Sequence, residues 1–260
     1  MHLRFAALAA LIAGPALALD DPQTKLLDPM NSANWDYHQV ELLGDPKSIR
    51  FDDRIKVTAP GFAEDSFNVP VLIDASAIPD VAQIVAFVDF GPIPKILTYR
   101  PGEAEAKIAF RFKIDQSTPI RAAVQTSSGD WHVGSTLIDA AGGGCTAPAV
   151  AYASDDWEER LGEVNGQIWP ETGRLRMVVD HPMDTGLADG IPVFIIENLH
   201  VATMEGEELA SLELYEPVNE DPALTLYFGE DRLENRVRVS GRDNNGNEID
   251  AILDARPLTQ

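Results

Sequence analysis

Between Ala106 and Ile114 the chain alternates apolar and polar residues with a period of two. Ile108, Phe110, Phe112 and Ile114 fall on one face, and Lys107, Arg111 and Lys113 on the other. Successive side chains of a strand point to opposite sides, so the pattern specifies a half-buried β-strand with its lysines and arginine toward solvent. The same grammar recurs at Ile55–Ala59, Phe67–Ala75, Gln83–Asp89, Lys95–Tyr99, Ile120–Thr126 and Trp131–Ile138. Gln83–Asp89 is strongly apolar and reads as a buried strand, while Pro70 marks Phe67–Ala75 as an edge or a bulge. Short strands at this spacing predict an immunoglobulin-like sandwich.

A second set follows at Arg174–Asp180, Val193–Leu199, Leu209–Tyr215, Ala223–Phe228, Arg236–Ser240 and Glu248–Leu253. Asn245–Gly246 tolerates the positive φ that a tight turn between the last two requires. The expected fold class is all-β: two immunoglobulin-like β-sandwich domains joined by a Gly/Ala/Pro linker bearing a cysteine. The expected divisions are a signal peptide over 1–18 and a leader over 19–50, with a short helix at Trp35–Leu43 packed on the first domain. A first sandwich over 51–139, a cysteine arm and linker over 140–162 and a second sandwich over 163–260 complete the chain.

The linker holds Cys145, the only cysteine in the chain, directly after Gly142, Gly143 and Gly144. Glycine lacks a Cβ, so the run is mobile, and Ala140–Cys145 projects the sulfur by roughly 20 Å when extended. One reading is a covalent attachment point on a flexible arm; the other is a spacer with an incidental thiol. The glycines supply no side chains to bury the sulfur. The nearest charge along the chain is Asp139, which disfavours thiolate, so Cys145 is not read as a catalytic nucleophile.

The beginning of the chain has the pattern of an export signal. Met1–Arg4 carries one positive charge, Phe5–Ile12 is apolar, and Ala16-Leu17-Ala18 suits cleavage after Ala18. The apolar run is too short to span a bilayer, so no membrane span is expected and the compartment is read as periplasm. A lone cysteine in an exported chain forms no internal disulfide. The formal charge of −22 argues against nucleic-acid partners and anionic membranes, both of which need basic patches.

The histidines beyond the signal, His38, His132, His181 and His200, are scattered and lack metal-ligand spacing, so no metal and no cofactor is expected. Gly-x-Ser-x-Gly, the dinucleotide fingerprint and the phosphate loop are all absent. The second compact signature is His181-Pro182-Met183-Asp184-Thr185-Gly186, read on its own as a structural turn. Trp157 and Trp169 are expected in interdomain packing.

These two signatures in this order resemble SoxY followed by SoxZ, the carrier subunits of periplasmic sulfur oxidation. SoxY ends in a Gly-Gly-Cys-Gly-Gly arm whose cysteine carries sulfur intermediates, and Gly142–Cys145 stands in that place. Ile55–Pro60, Ala63-Glu64-Asp65 and Val69-Pro70-Val71 also look like SoxY. SoxZ carries His-Pro-Met-Glu-Thr-Gly, one conservative change from His181–Gly186. The subgroup most similar is the fused SoxYZ-like carriers associated with quinoprotein dehydrogenases. The resemblance implies a non-enzymatic carrier with Cys145 as attachment site and His181–Gly186 as a structural motif. Implied partners are periplasmic oxidoreductases: sulfur-oxidation enzymes, c-type cytochromes or a quinoprotein dehydrogenase. The alternatives are an accessory module for a quinoprotein dehydrogenase system and a dimer linked through Cys145. One departure stands out: the SoxY arm is a free C-terminus, whereas here Thr146-Ala147-Pro148 follows and the chain continues.

Overall fold

The computed structural model describes residues 27–230 and 232–255. The export-signal reading lies outside the described residues. The fold is all-β, with two sheet-rich halves arranged as immunoglobulin-like layers and very little helix.

The two halves share both of their main sheets. The larger has ten strands. From edge to edge it runs Ile49–Phe51, Trp131–Ala140, Thr118–Thr126, Val81–Val88, Lys95–Arg100, Glu208–Leu214, Ile196–Ala202, Arg236–Asp243 and Glu248–Asp254. Phe62–Ala63 pairs beside the end of Trp131–Ala140. The six-stranded sheet runs Val164–Trp169, Arg174–Val179, Ala223–Tyr227, Lys107–Phe112, Val69–Asp74 and Lys56–Thr58. The halves are thus sewn together twice. Thr98 lies opposite Glu213 in one sheet, and Ala109 lies opposite Thr225 in the other. The sequence places the junction in the linker alone; the backbone adds two antiparallel seams. One apolar core runs unbroken between the sheets from Ile73, Ile84 and Phe110 to Leu224, Leu226 and Val239.

Val81–Val88 explains its own apolar sequence. Ile84, Ala86 and Val88 face the main core, whereas Val85 and Phe87 join a second cluster with Trp35, Leu43, Ala123, Trp131 and Val133. The leader helix Trp35–Glu41 covers that outer face. Under it lies Arg121, 0% exposed, whose guanidinium donates to both Asp89 and Asp28 and stacks 4.7 Å from the Trp35 ring. A buried cation is tolerated only when paired in this way.

The strand Val164–Trp169 has no alternation to announce it. Gly166 interrupts it because a Cβ there would stand 2.5 Å from Leu253 and 2.9 Å from the Arg176 carbonyl. The expected packing of Trp157 and Trp169 between domains is corrected. Trp157 meets Tyr152 edge-on at 4.9 Å, and Trp169 lies under the Arg174 guanidinium at 3.8 Å.

Candidate functional site

Cys145 follows the long strand Trp131–Ala140, whose last residues lead the chain toward the segment Lys113–Asp115. The glycine run, expected as a free-standing arm, is laid down along that segment. Gly144 donates its N–H to the Ile114 carbonyl at 3.0 Å, and Ile114 in turn donates to the Ser66 carbonyl at 2.8 Å. A Cβ on Gly144 would stand 2.0 Å from the Ser66 oxygen and 2.6 Å from that of Ile114. Gly142, at φ +99°, would bring a Cβ within 2.4 Å of the Asp115 carbonyl, whereas Gly143 faces open space. Two of the three glycines therefore permit a close backbone approach as well as freedom.

The thiol is buried, with Cys145 3% exposed, because neighbouring elements cover what the glycines cannot. Its Sγ donates weakly to the Lys113 carbonyl at 3.6 Å, and the Thr185 hydroxyl donates to the Cys145 carbonyl at 2.6 Å. Burial, with the carboxylate of Asp115 adding to it and Lys113 opposing, pushes the thiol up to about 11. The charges that govern the sulfur are thus Asp115 and Lys113 rather than Asp139, and the neutral thiol is favoured.

Lys113 is the main departure from the strand pattern. The alternation assigns it to solvent beside Lys107 and Arg111, yet it is 5% exposed. The regular strand ends at Phe112, and the Lys113 N–H turns to the Pro217 carbonyl at 2.6 Å. The Lys113 ammonium donates to the carbonyl of Met183. Burial lowers the pKa of this lysine, with Asp184 and then Cys145 acting against that shift.

Met183 belongs to the second signature, so the two stretches kept apart in sequence form one site. Met183 sits at φ +50°, a strained conformation for a non-glycine residue, and this aims its carbonyl at Lys113. Its Sδ accepts the Ile196 N–H at 3.3 Å. His181 accepts the Met183 N–H on Nδ1 at 3.0 Å, lies 4.4 Å from the Phe194 ring and is buried. Its Nε2 is 3.6 Å from Asp243. Burial pushes the imidazole down to about 4, against the pull of Asp243, so it is neutral at pH 7. Pro182 stands between them, also buried. Gly186, at φ +75°, leaves room for Val193, which a Cβ would meet at 2.5 Å. Asp184 and Thr185 reach outward to the cysteine segment.

The chain beyond Cys145 is held by carboxylates. Asp184 accepts the Ala149 N–H at 3.0 Å and the Tyr152 hydroxyl. Glu220 accepts the Val150 N–H at 2.8 Å and that of Ala151. These bonds shape the 3-10 turn Val150–Ala153. Lys113, Tyr152 and Glu220 escape sequence reasoning: the first faces the wrong way by pattern, and the others sit in segments without periodicity.

The remaining histidines lie elsewhere, His38 on the Asp89 carbonyl, His132 against Asp52 and Arg50, and His200 with Glu208. Among the described residues no group of three His, Cys, Asp or Glu is placed to hold a metal. No helix among them is long and apolar enough to cross a membrane.

Comparison with protein families divides the chain at this site. Residues 39–145 match the model of the sulfur oxidation protein SoxY, and residues 170–252 match that of the sulphur oxidation protein SoxZ. The chain joins a SoxY domain to a SoxZ domain. The SoxY match ends on Cys145 itself, and the SoxZ match contains His181–Gly186. A similar solved structure is that of the sulfur carrier protein SoxY from Chlorobium limicola f thiosulfatophilum. It shares 19% identity and aligns over 41% of this chain and 96% of its own, with a TM-score of 0.37. No match is found among curated proteins. The SoxY–SoxZ content supports a sulfur-carrier role of the SoxYZ kind. In this fusion the contact between Thr185 and Cys145 is a contact between the two Sox domains.

Proposed function

We propose that this chain is a periplasmic carrier that holds a covalent, sulfur-linked intermediate on Cys145 for partner oxidoreductases. The observation that supports this most is the meeting of the two signatures on one cysteine. Lys113, Asp184 and Thr185 are all arranged around a residue that a spacer would leave unattended. The protein contributes the thiol and its presentation, and the redox chemistry belongs to the partners. Sulfur-oxidation enzymes, c-type cytochromes and a quinoprotein dehydrogenase are the partner classes in view.

A thiol pushed up to about 11 is roughly one part in ten thousand thiolate at pH 7. Loading of Cys145 therefore needs the arm to leave its dock, with Gly142–Gly144 as the flexible portion. Burial of the sulfur also supports a second reading, an accessory module for a quinoprotein dehydrogenase system in which Cys145 only packs. A dimer linked through Cys145 needs the same release of the arm, since the docked sulfur is out of reach of a second chain.

Intact mass of the protein purified from its native compartment separates these readings. A carrier shows an adduct that disappears on reduction and is absent from Cys145→Ser. Unmodified protein, together with a Cys145→Ser variant that fully supports the host pathway, overturns the carrier reading.

A further inference from the structure

The surroundings of Cys145 are selective in a way that the carrier role alone does not require. The dock consists of the Ser66 and Ile114 carbonyls under Gly144, the Lys113 carbonyl facing Sγ, and the Thr185 hydroxyl on the Cys145 carbonyl. The hydrogen-bond partner of the sulfur here is an acceptor. The S–H is the donor that suits the Lys113 carbonyl. The charged groups that act on it are Asp115 and Lys113, one of each sign. The ammonium is already turned to the Met183 carbonyl, and Asp184 and Glu220 act on it as well. The cation by the sulfur is thus engaged elsewhere before any cargo arrives. A negative charge on Sγ would lose the S–H bond, face an acceptor carbonyl and the Asp115 carboxylate, and stand unpaired in a buried setting.

We infer that this dock is an internal binding site for the arm in its uncharged thiol form, and that it releases the arm once Cys145 bears an anionic group. The inference rests on the carrier reading and adds the chemical class that the dock discriminates: neutral is held and negative is presented. The empty carrier is then shielded from stray oxidants, while the loaded carrier stands open to its partner. No partner is needed to choose between the two states.

The test uses the full chain with charge placed at the sulfur's position by substitution. Cys145→Asp carries a negative charge at pH 8, and Cys145→Asn has nearly the same shape without it. Amide hydrogen exchange at Gly144 reads docking, with Val237 and Val239 in a distant strand as a control for global unfolding. The Asn variant is expected to keep its protection, and the Asp variant to exchange at least about tenfold faster at Gly144, a difference of about 1.4 kcal/mol. Adding Asp115→Asn to Cys145→Asp is expected to restore part of the protection, because it removes the repelling neighbour. Equal exchange in the Asp and Asn variants overturns the inference. Slower exchange in the Asp variant also overturns it and makes Lys113 an anion receptor instead. If both variants lose protection through their shape, Cys145→Ser compared between pH 8 and pH 5 gives the neutral baseline against which the Asp variant must still differ. An unmodified Cys145 in the host would defeat the carrier reading and leave these exchange rates as they are. Equal exchange beside a detected adduct would defeat only the dock.

Discussion

Cys145 is tied down on both sides, and the two ties are made of different material. Upstream, the glycines are held mainly by backbone, through the Gly144 N–H on the Ile114 carbonyl and contacts too close for any side chain, with the neighbouring Thr146 hydroxyl on the Gly143 carbonyl. Downstream, Ala149–Tyr152 is held by the side chains of Asp184 and Glu220. A backbone tie depends on shape and is indifferent to charge. A carboxylate tie is stronger per bond, since bonds to ionised acceptors contribute roughly 1.5–3 kcal/mol against about 1 for neutral ones. The upstream tie is therefore the natural hinge, and the downstream tie the natural anchor. This also gives physical content to the chain's departure from a free C-terminal arm: the residues that follow the cysteine are fastened to the SoxZ half.

The sharpest way to break the upstream tie is Gly144→Ala. Its Cβ would collide with two backbone oxygens, at 2.0 and 2.6 Å, neither of which is free to move away. The docked state should weaken by about 3 kcal/mol, the upper range for overpacking. Reaction of Cys145 with a disulfide reagent should then accelerate roughly a hundredfold. An unchanged rate would mean that the glycines are not what seats the arm.

Titration of the thiol examines the same tie without a change of side chain there. The docked thiol sits at about 11 against an ordinary 9.0. A raised acid pKa means that the docked state holds its proton more tightly, so docking is at full strength below pH 9 and is lost as pH rises through 11. The loss across that window is about 2–3 kcal/mol. The thiolate absorbance of the wild type minus that of Cys145→Ser should show a midpoint near 11, and in Gly144→Ala it should fall toward 9. A wild-type midpoint at 9 would place the sulfur in solvent.

Asp184→Ala tests the anchor. It frees the Ala149 N–H and the Tyr152 hydroxyl and leaves Lys113 with one carboxylate fewer. Hydrogen exchange at Ala149 should rise about thirtyfold, corresponding to about 2 kcal/mol, while Gly144 changes much less. Equal loosening on both sides would show that the two ties act as one unit. Thr185→Val gives the smallest effect at the cysteine, since it removes one neutral hydrogen bond to the Cys145 carbonyl, besides the one the hydroxyl accepts from the Leu187 N–H. About 1 kcal/mol, or a fivefold change in thiol reactivity, is expected.

The sequence carried the strands, the cysteine and the His181–Gly186 stretch because each is announced locally, by alternation, rarity or resemblance. It did not carry their meeting. That depends on Ala223–Tyr227 pairing with Lys107–Phe112, a register with no local signal. Lys113 shows the failure in one residue. The two-residue period extends through it, but the regular strand stops at Phe112 and the side chain turns inward to Met183. Val164–Trp169 was hidden for a related reason: Gly166 is required by Leu253, a residue far along the chain, and breaks the pattern that would mark a strand.

The two shared sheets carry a consequence for how the molecule comes into being. Lys95–Arg100 is complete only when Glu208–Leu214 arrives, and Lys107–Phe112 only when Ala223–Tyr227 does. Pairings between such distant segments form slowly, since a long loop must close before any contact rewards it. Until then the first half exposes two open strand edges, each a template for pairing with the wrong chain. A fragment ending at Cys145 would keep those edges permanently. Joining the two halves in one polypeptide guarantees that each newly made first half has its own second half at hand, in equal number and at high local concentration.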